Sequence, residues 1–197
     1  DPHDLLGKGS EGTSVYRGSF DNRTVAVKRL LVDCFGIADK EVRMLRESDN
    51  HENIIRYFCT EFDREFCYIA VELCTCTLHD YAVNEDFAFL KDLIKPKEML
   101  YQATRGLSHL HQLHIIHRDI KPQNTLLSMP DSRKNVRALI SDFGLCKKVD
   151  KDASLSMRTN AAGTEGWIAP ETLRNEKLVR KFLGVNRGVG HSFLLIF

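Results

Sequence analysis

The feature that most constrains this chain is a single change of residue pattern partway along it. From Leu5 to about Leu73 the residues group into short β-like segments, whereas beyond Leu73 the apolar side chains recur at helical spacing. Folding each half by its own period gives an α+β, bilobal arrangement, a β-rich lobe and then a helical one, joined near Cys74–Thr77. Small ligands usually bind in clefts between such lobes. In the first half, Ser14–Ser19 and Thr24–Leu31 flank the polar Asp21-Asn22-Arg23 and are expected to form a hairpin. Ile54–Thr60 and Glu65–Leu73, around Phe62-Asp63-Arg64, read as a second. One helix, Ile37–Glu47, interrupts them and puts Glu41 on a face with Ile37 and Leu45. A carboxylate on a core-facing stripe needs a cationic or donor partner, because an unpaired buried charge is costly. In the second half, Pro96 opens a helix over Lys97–Leu113 whose stripe is Leu100, Ala103, Leu107 and Leu110. Short apolar runs follow at Ile115-Ile116 and Val136–Ile140.

With 197 residues, 43% of them hydrophobic and 28% charged, the chain is long enough for one domain of two lobes and too short for a multidomain machine. The formal charge of +1 supplies no global field toward nucleic acid, so no direct nucleic-acid binding is expected and any phosphate site is local. The six cysteines lack zinc-ligand spacing, Cys74-Thr75-Cys76 included, and read as free thiols of a reducing compartment. No apolar run is long enough to cross a membrane and Asp-Pro-His-Asp does not open a signal peptide, so this segment alone is expected to be soluble and cytoplasmic. Asn22-Arg23-Thr24 fits a glycosylation sequon and is read as a turn.

Gly7-Lys8-Gly9-Ser10-Glu11-Gly12 is by itself a weak signal. A dinucleotide-binding loop would be followed by a helix, but Thr13–Arg17 continues as strand, and a Walker loop would carry Lys after its last glycine. There remain a structural turn and a glycine-rich hairpin over nucleotide phosphates, with Val15 packing on the base. The next strand carries Val25-Ala26-Val27-Lys28, a lysine at the end of an apolar stretch, and its ammonium can face the cleft. A Lys28–Glu41 pair would satisfy both charges and leave donors for the α- and β-phosphates.

His117-Arg118-Asp119-Ile120-Lys121-Pro122-Gln123-Asn124 closely resembles the catalytic loop of protein kinases, with Asp142-Phe143-Gly144 and Ala169-Pro170-Glu171 following in the family's order. The resemblance implies ATP and Mg²⁺ as cofactors. Asp119 is expected to accept the proton of the substrate hydroxyl or orient that hydroxyl, and Lys121 to neutralise the γ-phosphate, as in the serine/threonine subgroup. Asn124 and Asp142 would hold Mg²⁺ through hard oxygens, and His117 would be structural. Ser154, Ser156 and Thr159 are expected phosphorylation sites, modified in trans by a sister molecule, with Arg118 pairing to the added phosphate.

Longer stretches narrow the resemblance: Leu45-Arg46-Glu47-Ser48-Asp49, Arg56-Tyr57-Phe58-Cys59-Thr60-Glu61, Ile140 to Lys148, and Gly163-Thr164-Glu165-Gly166-Trp167-Ile168-Ala169-Pro170-Glu171. They are similar to the inositol-requiring kinase/endoribonuclease family, the endoplasmic-reticulum stress sensors of the unfolded protein response. A related antiviral endoribonuclease with a kinase-like domain fits less well. On that pattern Val71 is the gatekeeper, the backbone of Glu72 and Cys74 binds adenine, and Gly7, Gly9, Gly12, Val15, Ala26 and Lys28 complete the ATP site. In that family a luminal sensor and membrane helix precede the kinase, which faces the cytosol, and an RNase domain follows it; nucleotide and phosphorylation favour homodimers. The expected division is an N-lobe over 1–73, a hinge and partial C-lobe over 74–171, and an atypical tail over 172–197. The missing C-lobe helices suggest a fragment, so a nucleotide-binding dimerisation module or an inactive chain are the alternative readings.

Overall fold

Asp21 and Asn22 take φ of 48° and 60°, the left-handed conformation that Asp and Asn tolerate and that a two-residue hairpin turn requires. The turn thus closes one residue earlier than its polar run implies, and Arg23 already pairs with Phe20. The computed structural model describes residues 4–9, 12–31, 35–149 and 163–168. In chain order it forms strands β1 (Leu5–Lys8), β2 (Ser14–Phe20) and β3 (Arg23–Leu31), helix α1 (Phe35–Ser48), and strands β4 (Tyr57–Phe62), β5 (Phe66–Glu72) and β6 (Cys74–Thr77). Helices α2 (Leu78–Val83), α3 (Leu90–Leu93) and α4 (Pro96–Gln112) follow, then short strands β7 (Ile115–Ile116), β8 (Thr125–Ser128), β9 (Ala138–Ile140) and β10 (Lys147–Lys148). A β-rich part precedes a helical one, the bilobal α+β plan expected from the pattern.

The first sheet is antiparallel in the order β1-β2-β3-β5-β4. Leu73 carries the chain out of it, because β6 pairs with β8 in a separate sheet, β6-β8-β9. Helix α2 starts at once. Thr77 Oγ1 accepts the Asp80 amide and the Asp80 carboxylate accepts the Thr77 amide, a reciprocal cap that fixes the exit from the junction.

Two expectations shift. The strand foreseen over Ile54–Thr60 begins only at Tyr57; the preceding residues leave the sheet and bond to the other half. Asn53 O accepts from Ile140 N at 2.9 Å, and Ile55 N donates to Ile140 O at 3.0 Å. Leu100 is exposed, and the buried stripe of α4 is Met99, Ala103, Gly106, Leu107 and Leu110, since at 3.6 residues per turn Leu100 falls just past the edge of the arc those five share. One core is continuous between the two halves: Val42, Leu45 and Ile69 pack with Leu107, Leu110, Ile140 and Phe143. A second, with Tyr81, Leu90, Met99, Leu127 and Val136, lies under the helical part.

Gly106 sits where α4 passes closest to the turn after α1. A Cβ there would fall 2.6 Å from Asn53 O and 3.1 Å from Ile140 Cγ1. Gly106→Ala should therefore destabilise the protein by about 1–3 kcal/mol, the overpacking cost exceeding the ~1 kcal/mol helix-propensity gain. Urea denaturation checks this; equal or greater stability in the variant would contradict it.

Candidate active site

Strand β3 carries the first functional side chains. The register places Val15 opposite Lys28 and Ala26 opposite Val71, so these four residues share one face of the sheet. Lys28 Nζ donates to Glu41 Oε1 at 2.6 Å and to Asp142 Oδ1 at 3.0 Å. The carboxylate that the α1 pattern left in want of a partner is buried and meets it here. Burial alone would lower the lysine's pKa, but the charges of Glu41 and Asp142 outweigh it and hold Lys28 above the ordinary lysine value. The ammonium stays charged at neutral pH.

In the same sheet, Gly7 pairs with Val15 beside a bulge in β1, and Gly9 N donates to Thr13 O at 2.9 Å. Gly12 has φ of 75°, a conformation that glycine adopts without strain. At the junction, Glu72 N donates to Arg56 O and its carboxylate accepts from Arg137 at 2.6 Å. Cys74 follows, opposite Ser128, its thiol pushed up by burial and then by the Glu72 charge, and so protonated at neutral pH.

The loop between β7 and β8 holds the second group. His117 is buried, its Nε2 lies 2.8 Å from Ser141 O, and its ring meets Phe143 edge-on at 5.5 Å. Desolvation lowers its pKa, which keeps the ring neutral at neutral pH. Asp119 is buried as well. Its Oδ2 lies 2.8 Å from Lys121 Nζ and accepts from Asn124 Nδ2 at 2.8 Å, while Oδ1 accepts from Thr164 N at 2.9 Å and Thr164 Oγ1 at 2.7 Å. Burial would raise this carboxyl's pKa, but the Lys121 and Thr164 bonds hold it below the usual carboxylate range. Asp142 is also held low: burial opposes and the Lys28 charge prevails. Asn124 O accepts from both Ser141 N and Ser141 Oγ, which seats Asn124 next to the segment entering Asp142.

The donor chemistry suits a hard divalent cation. The Asp142 carboxylate is about half exposed, with 45% of its side chain accessible, and the Asn124 amide nitrogen serves Asp119, which leaves the amide carbonyl as an acceptor for a cation. Arg118, with φ of 70°, donates from Nε to Leu145 O at 2.6 Å, just past Gly144.

Sequence reasoning assigned no role to Thr164. Its signal was its place in Gly163-Thr164-Glu165-Gly166, but only folding brings its hydroxyl to Asp119, and Lys121 Nζ also donates to it at 2.6 Å. Ser10, Glu11, Cys34, Ser154, Ser156, Thr159, Ala169-Pro170-Glu171 and residues 172–197 lie outside the described residues, as does the side chain of Ile37. The other five cysteines are free thiols, and no described helix is long and apolar enough to cross a membrane.

The sequence matches the family profile described as protein kinase domain over residues 1–182. It is 51% identical over 174 residues to the serine/threonine-protein kinase/endoribonuclease IRE2 of Homo sapiens, covering 88% of this chain and 19% of the relative. To the serine/threonine-protein kinase/endoribonuclease ire-1 of Caenorhabditis elegans it is 49% identical over 175 residues, covering 87% and 18%. To the sensor for unfolded proteins in the ER ire1 of Schizosaccharomyces pombe it is 46% identical over 179 residues, covering 86% and 16%. The chain thus spans less than a fifth of the length of these relatives.

Two outcomes follow from the buried charges. Lys28→Met strands the Glu41 carboxylate and should cost about 3–5 kcal/mol in urea unfolding, most of it restored in Lys28→Met/Glu41→Leu; a single variant as stable as wild type would contradict the pairing. Asp119 and Asp142 have folded pKa values below their unfolded ones, so their contribution is fully present above the ordinary carboxylate value of about 4 and is lost as pH falls through the depressed values. Thermal melts should show no loss from these groups between about pH 8 and pH 5; a loss in that window that disappears in Asp119→Asn would contradict the depressed values.

Proposed function

The chain belongs to the protein kinase family, and on that premise we propose that it transfers the γ-phosphate of ATP to serine or threonine hydroxyls, its own copies included. The observation that carries this reading is the meeting of Lys28, Glu41 and Asp142, from three distant segments, at 2.6 and 3.0 Å. One ammonium held between two carboxylates is oriented and fully charged, as a phosphate ligand must be.

In this reading the adenine lies against Val15, Ala26 and Val71 and bonds the backbone of Glu72 and Cys74. The amides of the Gly7–Gly12 loop cover the phosphates, and Lys28 binds the α- and β-phosphates. Asn124 and Asp142 would hold Mg²⁺. When bound, the metal neutralises charge on the β- and γ-phosphate oxygens. The acceptor oxygen forms a bond to γ-phosphorus as the bond to the β-phosphate oxygen breaks, and ADP leaves. Asp119 receives the hydroxyl's hydrogen bond and finally its proton. Because its pKa is depressed, it orients the hydroxyl first and takes the proton only as the new P–O bond forms. Lys121 neutralises the transferring group, whose transition state is dominated by charge.

Ser154, Ser156 and Thr159 are the proposed sites of trans-autophosphorylation. Support comes from a basic surface beside Arg118: Lys40 is acidified first by burial and then by the charges of Arg118 and Lys147. A phosphate on the segment would be drawn to it. On this reading residues 1–73 are the N-lobe, 74–171 the hinge and partial C-lobe, and 172–197 an atypical tail. The similarity to unfolded-protein sensors supports a place on the cytosolic face of the endoplasmic reticulum, in a protein whose kinase dimers govern an RNase domain.

Purified chain with Mg²⁺ and labelled ATP should incorporate phosphate, and Asp119→Asn or Lys28→Met should reduce this by about 10²-fold or more. Asp119→Asn should still be stabilised by ADP in a thermal melt. Full incorporation by Asp119→Asn would refute the assignment, and a nucleotide-binding module without transfer is the outcome if wild type binds ADP but never labels.

A further inference from the structure

We infer that Arg137 is a positioning residue for the adenine end of the nucleotide, acting through Glu72; the inference rests on the kinase reading above. Arg137 stands directly before β9, the strand that runs through Ser141 into Asp142. Its backbone is fixed on β8, since its N–H donates to Ser128 Oγ and its carbonyl accepts from Ser128 N, each at 2.9 Å. The guanidinium then forks. One nitrogen donates to the Glu72 carboxylate at 2.6 Å and the other to the Glu52 carbonyl at 2.7 Å.

The consequence is geometric. The proposed adenine-binding backbone at Glu72 and the proposed metal ligand Asp142 are tied to the same strand, one through Arg137 and the other through the chain itself. Glu72 is held a second time, by its own N–H on Arg56 O. A planar fork with two acceptors fixes direction as well as distance, which a lysine at this position could not do. The surroundings favour a geometric role over a stabilising one. The pair borders a cavity of about 280 Å³, lined by Asp49, His51, Glu52, Arg56, Glu72 and Arg137, and it is partly exposed. Ion pairs in such a position add little to stability. The neighbouring charges have partners of their own, Arg105 on Glu52 at 2.6 Å and Arg56 on Asp49 at 3.6 Å, so none of them replaces Arg137 at Glu72.

The test is a double-mutant cycle read in nucleotide affinity and in steady-state kinetics. Kd for ADP with Mg²⁺ and the KM and kcat for ATP are measured on wild type, Arg137→Met, Arg137→Lys, Glu72→Gln and Arg137→Met/Glu72→Gln. Arg137→Met and Glu72→Gln should each raise Kd and KM by about fivefold to tenfold, the value of a charged hydrogen bond, with kcat within about twofold. The double variant should be no worse than the worse single, and Arg137→Lys should fall between wild type and Arg137→Met. Unchanged Kd and KM in Arg137→Met or Glu72→Gln, even with a lowered Tm, would overturn the inference while leaving the kinase reading intact; so would effects that simply add. If Arg137→Met does not fold, Glu72→Gln and Arg137→Lys decide by the same criteria. A wild type that binds no ADP overturns the kinase reading itself, and this inference with it.

Discussion

The ammonium of Lys28 is the point on which the structure turns. A lysine in a sheet interior and a glutamate on the buried face of a helix are each costly alone. Together, with Asp142 added, they fix three things at once: the rotation of α1 against the sheet, the direction of the Lys28 side chain, and the position of the segment after β9. The pair is not a large source of stability, since desolvation offsets much of the attraction in such sites. It selects one arrangement among those the apolar core would tolerate.

The two halves share a core and not merely a linker. Phe143 packs from the helical side into the cluster that holds Leu45 and Ile69, one residue after the aspartate that meets Lys28. The turn through Asn53 bonds β9 directly, and Gly106 permits the close approach of α4 that this requires. Asp119 is set by Lys121, Asn124 and Thr164, so its orientation does not wait for a substrate. The two groups of the site are thus held by separate sets of contacts on a common frame.

Much of this was legible in the sequence, for physical reasons that differ by residue. Glu41 revealed itself because a charge on an apolar helical stripe demands a partner, and Lys28 because it closes an apolar run within a strand. The loop through Asp119 was legible as a dense motif. Four features were not. Leu100 was misplaced because it sits at the edge of the buried arc, where spacing alone does not separate core from surface. The residues from Ile54 onward looked like strand because a β-like composition cannot tell a sheet partner from a single bridge to a distant strand. Thr164 and Arg137 act through contacts with Asp119 and Glu72 that span long sequence separations, and nothing local announces them.

The central claim is that Lys28 faces bound nucleotide phosphates while it is paired to Glu41. The most direct measurement is site-resolved labelling with an acyl-phosphate derivative of ATP, which transfers its acyl group to an amine lying beside the phosphates, followed by mass spectrometry of the peptides. The account predicts acylation concentrated on Lys28, with Lys121 as the secondary site, and suppression of both by ADP with Mg²⁺. Labelling spread over exposed lysines such as Lys91, or labelling of Lys28 that ADP leaves unchanged, would contradict it.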